Sequence, residues 1–207
     1  AAWFYTFRSG KLKRHLFSNK YSSEASKEGA QGPFFRGDDA ESITNQIVET
    51  REKIRKQISQ IRDKDTNTDV QLIMPSTIAC LRMTRRLIGK FIYSEKYMHR
   101  WFEDTIGLIG DWRKSGHVFA IPFSSLCGKR NNNLLAVGRC ISVDNSAWDV
   151  IRVYSGCTVT GEAAGTAAAM AIKEKHYNVN SINLISLQQK LEKQGVILNP
   201  ELLRIKN

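Results

Sequence analysis

No two of the fourteen glycines stand two residues apart, so the Gly-x-Gly-x-x-Gly turn that cradles a dinucleotide pyrophosphate is excluded everywhere in these 207 residues. No Cys-x-x-Cys occurs among Cys80, Cys127, Cys140 and Cys157, which removes zinc-ribbon and thioredoxin-like readings, and no metal site is indicated. An even number of cysteines is weak evidence for disulfides in a chain this long, so the four are read as reduced thiols of a cytoplasmic protein. No apolar run approaches the roughly 20 residues that span a bilayer, and no signal-peptide pattern opens the chain. The chain begins Ala1-Ala2-Trp3-Phe4-Tyr5 without Met, and it is expected to be an excised or processed piece. Acidic residues are outnumbered, 20 against 31 basic, for a net charge of +11, which raises nucleic acid as a partner.

The distribution of that charge weakens the nucleic-acid reading. Residues 1–36 carry 7 basic and 2 acidic side chains, residues 71–130 carry 10 and 4, and residues 173–207 carry 6 and 3, while 37–70 and 131–172 are slightly acidic. A phosphate reader usually gathers Lys and Arg on one face, interleaved with aromatics. Lys11, Lys13 and Arg14 beside Trp3, Phe4 and Tyr5 could do this. The alternative, a solvated hairpin edge guarded by charge, needs no ligand and is preferred. With 42% hydrophobic and 25% charged residues, the composition is globular and allows one full core or one and a half.

Residues 3–17 alternate and break at Ser9-Gly10, which predicts a β-hairpin. Residues 18–37 are polar and Gly-rich and read as a long loop or lid. Asp38 or Asp39 then caps an amphipathic helix to about Arg62, with Ile43, Ile47, Ile54, Ile58 and Ile61 on one stripe and Glu49–Lys53 and Glu52–Lys56 as favourable pairs. Residues 63–69 form a polar turn before a short strand, Val70–Met74. Val118–Phe123 reads as a strand ended by Pro122. Leu134–Val137 is a continuous apolar run that suits a strand buried on both faces. Thr158 or Thr160 can cap a Gly/Ala-rich helix running from Gly161 to Lys173. A last helix, Leu187–Gln194, opens at Ser186 and stops at Gly195. There is no internal repeat.

The Gly/Ala-rich helix carries the most information. Gly161 and Gly165 with Ala163, Ala164, Ala167, Ala168, Ala169 and Ala171 make a smooth surface that another backbone or a flat ligand can approach. Its N-terminus would present unpaired N–H groups to an electron-rich or anionic group. Tight packing on a sheet explains the same composition without any ligand.

Several ordered motifs decide between these. Asn133-Leu-Leu-Ala-Val-Gly-Arg-Cys-Ile-Ser142, then Ile151-Arg152-Val153, then Cys157-Thr-Val-Thr-Gly-Glu-Ala-Ala-Gly-Thr-Ala-Ala-Ala169 resemble the C-terminal part of the FAD-dependent oxidoreductases. These flavoproteins have a glutathione-reductase-like nucleotide fold and are distantly similar to the fumarate reductase flavoproteins. Leu81 to Gly89, Phe102-Glu103-Asp104, Asp111-Trp112-Arg113 and Ile121-Pro122-Phe123 are similar to the family as well. The resemblance implies an α/β fold with an α+β cap: residues 1–130 as a portion of the cap or substrate domain, and 131–207 as the C-terminal return segment of the FAD-binding domain. It also implies that the fold is incomplete, lacking the N-terminal Gly-rich nucleotide-binding βαβ unit. FAD would then be held tightly only with that half or a partner chain.

The resemblance further implies cofactor contacts: Gly138 where the backbone passes the pyrophosphate or ribityl chain, Arg139 beside the cofactor phosphates, and N–H groups near Thr160, Gly161 and Glu162 facing the flavin N1/C2-carbonyl edge, where they favour negative charge. Arg152 would grip a substrate carboxylate, or alternatively pair with Asp149 or Glu162. Arg85 stands for the Arg82, Arg85 and Arg86 group, of which one would line the substrate cavity while Glu103, Asp104 and Asp111 pair with the others. Trp148 and Tyr154 would wall the site or pack in the core. The loop Val143–Asp149 has no His, so Asp144, Asp149 and Tyr154 are the substitutes for an acid or base. Cys140 and Cys157 are read as small buried thiols. The expected function is hydride transfer between FAD and a small, anionic organic substrate. The competing class is a non-catalytic module acting only with a partner chain, which an exposed apolar face on residues 134–169 would favour.

Overall fold

The computed structural model describes residues 2–17, 35–64, 69–74, 77–79, 84–175 and 178–204. Mixed helices and small antiparallel sheets make it an α/β protein, and the chain divides into two compact units, residues 1–84 and 85–207. The expected loop or lid at 18–37 lies outside the described residues up to 34, as do Cys80 and Arg82.

Unit 1 is built on the predicted hairpin. Strands β1 (Ala2–Arg8) and β2 (Lys11–Phe17) are antiparallel and joined by Ser9 and Gly10. Both turn residues have positive φ, 48° and 75°, the twist-matched geometry of a two-residue hairpin. Strand β3 (Asp69–Met74) pairs with the other edge of β1, giving the order β2-β1-β3. Thr6 stands between Lys13 and Val70, and Phe7 between Leu12 and Asp69. Alternation therefore puts Lys11 and Lys13 on the face of Val70, and Leu12 on the opposite face with Tyr5 and Phe7. The register sets Tyr5 opposite Arg14 and Phe4 opposite His15.

Helix α1 (Ala40–Lys64) is about 37 Å long. It starts where Asp39 accepts a 2.8 Å hydrogen bond from the Ser42 N–H. Its Ile54 and Ile58 pack with Val70, and Ile61 joins at the edge. The N-terminal half of the stripe differs from the expected one: Gln46 and Thr50 are fully buried, while Ile43 and Ile47 are only half-buried. The buried seam runs 46, 50, 54, 58 at strict four-residue spacing. Thr50 tolerates burial by donating to the Gln46 carbonyl at 2.6 Å.

Unit 2 forms around a two-stranded antiparallel sheet, β4 (Thr105–Gly110) and β5 (Val118–Pro122). Ile106, Phe119, Ala120 and Ile121 are fully buried. A cluster of Phe91, Tyr93, Tyr97, Phe102 and Phe119 packs beside them, ring centroids 5.2–6.5 Å apart. Helix α2 (Asn145–Ile151) is capped by Asp144, α3 (Tyr154–Lys173) follows almost at once, and α4 (Leu184–Lys193) closes the unit. Helix α3 lies close on β4: a Cβ added at Gly107 would stand 2.5 Å from Val159.

Three expectations are corrected here. Leu134–Val137 is not a strand buried on both faces; Leu134 and Val137 are 47% and 40% exposed. Among the described residues its backbone finds a bridge, Leu135 to Cys127, a bond from the Ala136 N–H to the Leu126 carbonyl, and one from the Cys140 thiol to the Val137 carbonyl; an apolar run becomes a central strand only with neighbours along both edges. Helix α3 starts at Tyr154, two turns before Gly161. Thr158 and Thr160 do not cap it; their hydroxyls donate to the carbonyls of Tyr154 and Gly156 inside it, at 2.9 and 2.6 Å. Helix α4 starts at Leu184, because Asn183 accepts the Ser186 N–H at 2.9 Å and takes the cap. Gly195, at φ 95°, follows the end of α4 as expected.

The glycines of α3 are of two kinds. A Cβ at Gly156 would lie 2.0 Å from the Ile151 carbonyl oxygen, whereas Gly161 and Gly165 face open space. Gly161→Ala and Gly165→Ala should each stabilise the chain by about 0.5–1 kcal/mol, and Gly156→Ala should destabilise it. Urea midpoints of the three variants check this; an equal effect of all three would contradict the assigned start of α3.

Candidate functional site

The elbow between α2 and α3 brings the named residues together. The first intrahelical bond of α3 runs from the Cys157 N–H to the Val153 carbonyl, and Val153 offers no side-chain cap. The N–H groups of Tyr154, Ser155 and Gly156 therefore have no partner among the described residues. They stand at the positive end of a 20-residue helix. Tyr154 is 93% exposed, so this end of α3 is open, and Tyr154 is not a core residue.

Against the first turns of α3 lies the short 3₁₀ turn Gly138–Cys140. Gly138 is buried with φ 64°, and a Cβ there would lie 3.2 Å from the Cys157 sulfur. Its N–H donates to Thr160 Oγ1 at 2.8 Å. The next carbonyl, of Arg139, accepts the Trp148 indole N–H at 2.7 Å. Trp148 is buried, and the Arg86 guanidinium lies 4.8 Å above its ring while bonding Asn145.

Of the two roles open to Arg152, the ion pair with Asp149 forms: its Nε lies 2.8 Å from Asp149 Oδ1, and its Nη2 reaches the same oxygen. The Trp112 indole donates to the Asp149 carbonyl at 3.1 Å. Gly138, Thr160, Arg152 and the α3 N-terminus are thus neighbours. Gly161 and Glu162 are carried on α3 beyond its first turn, and the backbone N–H groups of residues 160–162 are spent inside the helix; the unpartnered donors are those of 154–156, with Tyr154 and Ser155 exposed and Gly156 buried. Arg139 points its side chain to solvent, and Arg85 is exposed. Arg86 reaches α2.

Other expected partners also change. Asp104 accepts the Ser124 N–H at 2.8 Å. Asp111 pairs with Arg113 at 2.9 Å, and Arg113 also reaches Glu95 at 3.0 Å. Arg113 is absent from the sequence-derived candidates, although two acids within reach of one guanidinium can be recognised only after folding. Cys140 is exposed rather than buried, and Cys157 is half-buried. Burial pushes the Cys127 thiol up to about 11, which makes it a poor nucleophile.

A family model of the FAD dependent oxidoreductases matches residues 2–191. The chain belongs to this family. No curated protein and no solved structure matches it. Among the described residues no helix is long and apolar enough to cross a membrane. FAD is the cofactor of this family, and the α2–α3 elbow suits its flavin. Three unpartnered N–H groups at a helix N-terminus match an electron-rich edge, and the Gly138 turn packs against the same helix at Cys157. In this member of the family Asp144 is a cap, not a free base. Burial would raise its pKa, but hydrogen bonds from Ser146, Ser94 and the Ala147 N–H hold it below its ordinary value.

Asp111 behaves alike: burial works against its charge, but hydrogen bonds from Arg113 outweigh it and its pKa is lowered. Both carboxylates ionise more easily folded than unfolded, so their contribution to stability is present above the unfolded pKa of about 4 and is lost as pH falls through the folded values. Asp111→Asn should flatten the acid limb of the urea midpoint between about pH 5 and pH 2. An unchanged slope would remove Asp111 from this role.

Proposed function

We propose that this chain supplies the substrate-facing cap and the flavin edge of an FAD-dependent oxidoreductase that transfers hydride between FAD and a small, anionic organic substrate. The observation that carries the proposal is the open N-terminus of α3, with its three unpartnered N–H groups beside the Gly138 turn. When bound, FAD supplies the hydride-accepting and hydride-donating centre. The Tyr154, Ser155 and Gly156 N–H groups hold negative charge at its edge, and the Gly138 turn packs against the helix that carries them. Thr160, Gly161 and Glu162 contribute through the helix that carries those donors, and Arg139 through its backbone.

Arg152 is the substrate anchor in this reading. Asp149 occupies its Nε and Nη2, which fixes the plane of the guanidinium and leaves Nη1 for a carboxylate. Arg85 sits at the start of unit 2, where a second cation would serve an anionic substrate. Residues 1–130 act as the cap and 131–207 as the flavin-returning segment. The absence of any Gly-x-Gly-x-x-Gly supports an ADP-binding βαβ unit contributed from outside these residues. The free thiols Cys127, Cys140 and Cys157 support a cytoplasmic setting.

A second reading, a non-catalytic module that acts with a partner chain, is favoured by the exposure of Leu134, Val137 and Tyr154. One experiment separates the two. The natural gene product containing this chain, purified without added cofactor, should show a flavin absorption spectrum that bleaches on reduction. A colourless protein that also takes up no added FAD would sink the oxidoreductase reading. In the flavin-loaded protein, titrated small carboxylates should perturb the flavin spectrum, and Arg152→Gln should weaken that binding by about tenfold or more. Equal binding by both forms would remove Arg152 as the anchor.

A further inference from the structure

We infer that Thr160 is a positioning residue: its hydroxyl sets the spacing between the Gly138–Cys140 turn and the first turn of α3, and so shapes the flavin-facing elbow. The inference rests on the reading of that elbow given above and concerns how it is held. A threonine hydroxyl has one proton and two lone pairs. Inside α3 the proton goes to the Gly156 carbonyl, 2.6 Å away. The lone pairs are thereby turned outward, and one of them accepts the buried Gly138 N–H at 2.8 Å. The hydroxyl thus joins a carbonyl of the first helical turn to the backbone of the neighbouring 3₁₀ turn, and Thr160 itself is fully buried.

The following peptide is clamped from the other side, where the Trp148 indole donates to the Arg139 carbonyl at 2.7 Å. Two consecutive residues of one turn are therefore gripped by two buried side chains from two different helices. Such a grip exceeds what packing alone requires, because Gly138 already fits beneath the Cys157 sulfur without a side chain. Its effect is to hold the turn where a displacement would close or widen the space in front of the Tyr154–Gly156 N–H groups.

The isosteric variant Thr160→Val keeps the shape and β-branching and removes both bonds, whereas Thr160→Ser keeps them. In the natural gene product containing this chain, Thr160→Val should speed hydrogen exchange at the Gly138 amide and weaken FAD binding by about tenfold, since a buried N–H is left unpaired. Thr160→Ser should restore both to within about twofold of wild type on the same scale. Should Thr160→Val fail to fold, Trp148→Phe releases the other side of the turn and should weaken FAD binding in the same direction. Faster exchange at Gly138 with unchanged FAD affinity would overturn the positioning role and leave the oxidoreductase reading standing. A wild-type protein that takes up no FAD would overturn both.

Discussion

Unit 2 depends on backbones lying directly against helix α3. Strand β4 touches it at Gly107, beneath Val159; the 138–140 turn touches it at Gly138, beneath Cys157; and the α2–α3 elbow folds onto Gly156, against the Ile151 carbonyl. At each point a side chain would occupy the space the neighbouring atoms already fill. The alanines on the inner face of α3, with Ala163 and Ala167 fully buried, extend the same closeness along the helix. The approach matters to function because it brings a turn, an arginine and an open helix end into one small region without any long side chain between them.

The polar groups there follow from that closeness. A backbone N–H buried against a helix must find an acceptor, and Thr160 provides it for Gly138. Val153 occupies the cap position of α3 and its side chain has no acceptor, so the first N–H groups of α3 stay unpartnered. Asp149, at the end of α2, takes up Arg152 a turn away. An open helix end and an oriented cation are side by side because α2 and α3 are joined by two residues.

How legible this was depends on the range of the forces involved. The hairpin at Ser9-Gly10, the Asp39 cap, strands β3 and β5 and the Gly195 stop were readable because each is written in a few neighbouring residues. The start of α3 was misplaced because threonine can cap a helix or bond back into it, and residues 157–161 satisfy either pattern. Leu134–Val137 has strand composition, yet composition does not supply the neighbours a buried strand requires. Arg113 and Trp148 acquire their polar partners across 18 and 9 positions of the chain, to Glu95 and Arg139, and no local pattern marks those distances.

The sequence by itself determined the family-bearing motifs, the absence of a Gly-rich pyrophosphate turn, the period of α1 and the hairpin, since these reside in residue identity and short-range geometry. Tertiary structure alone decided which N–H groups of α3 lack a partner, that Arg152 is bound to Asp149, that Arg86 reaches α2, and that Thr160 faces Gly138. Those outcomes depend on which segments come within hydrogen-bonding distance, and that is set by packing in three dimensions rather than by order along the chain.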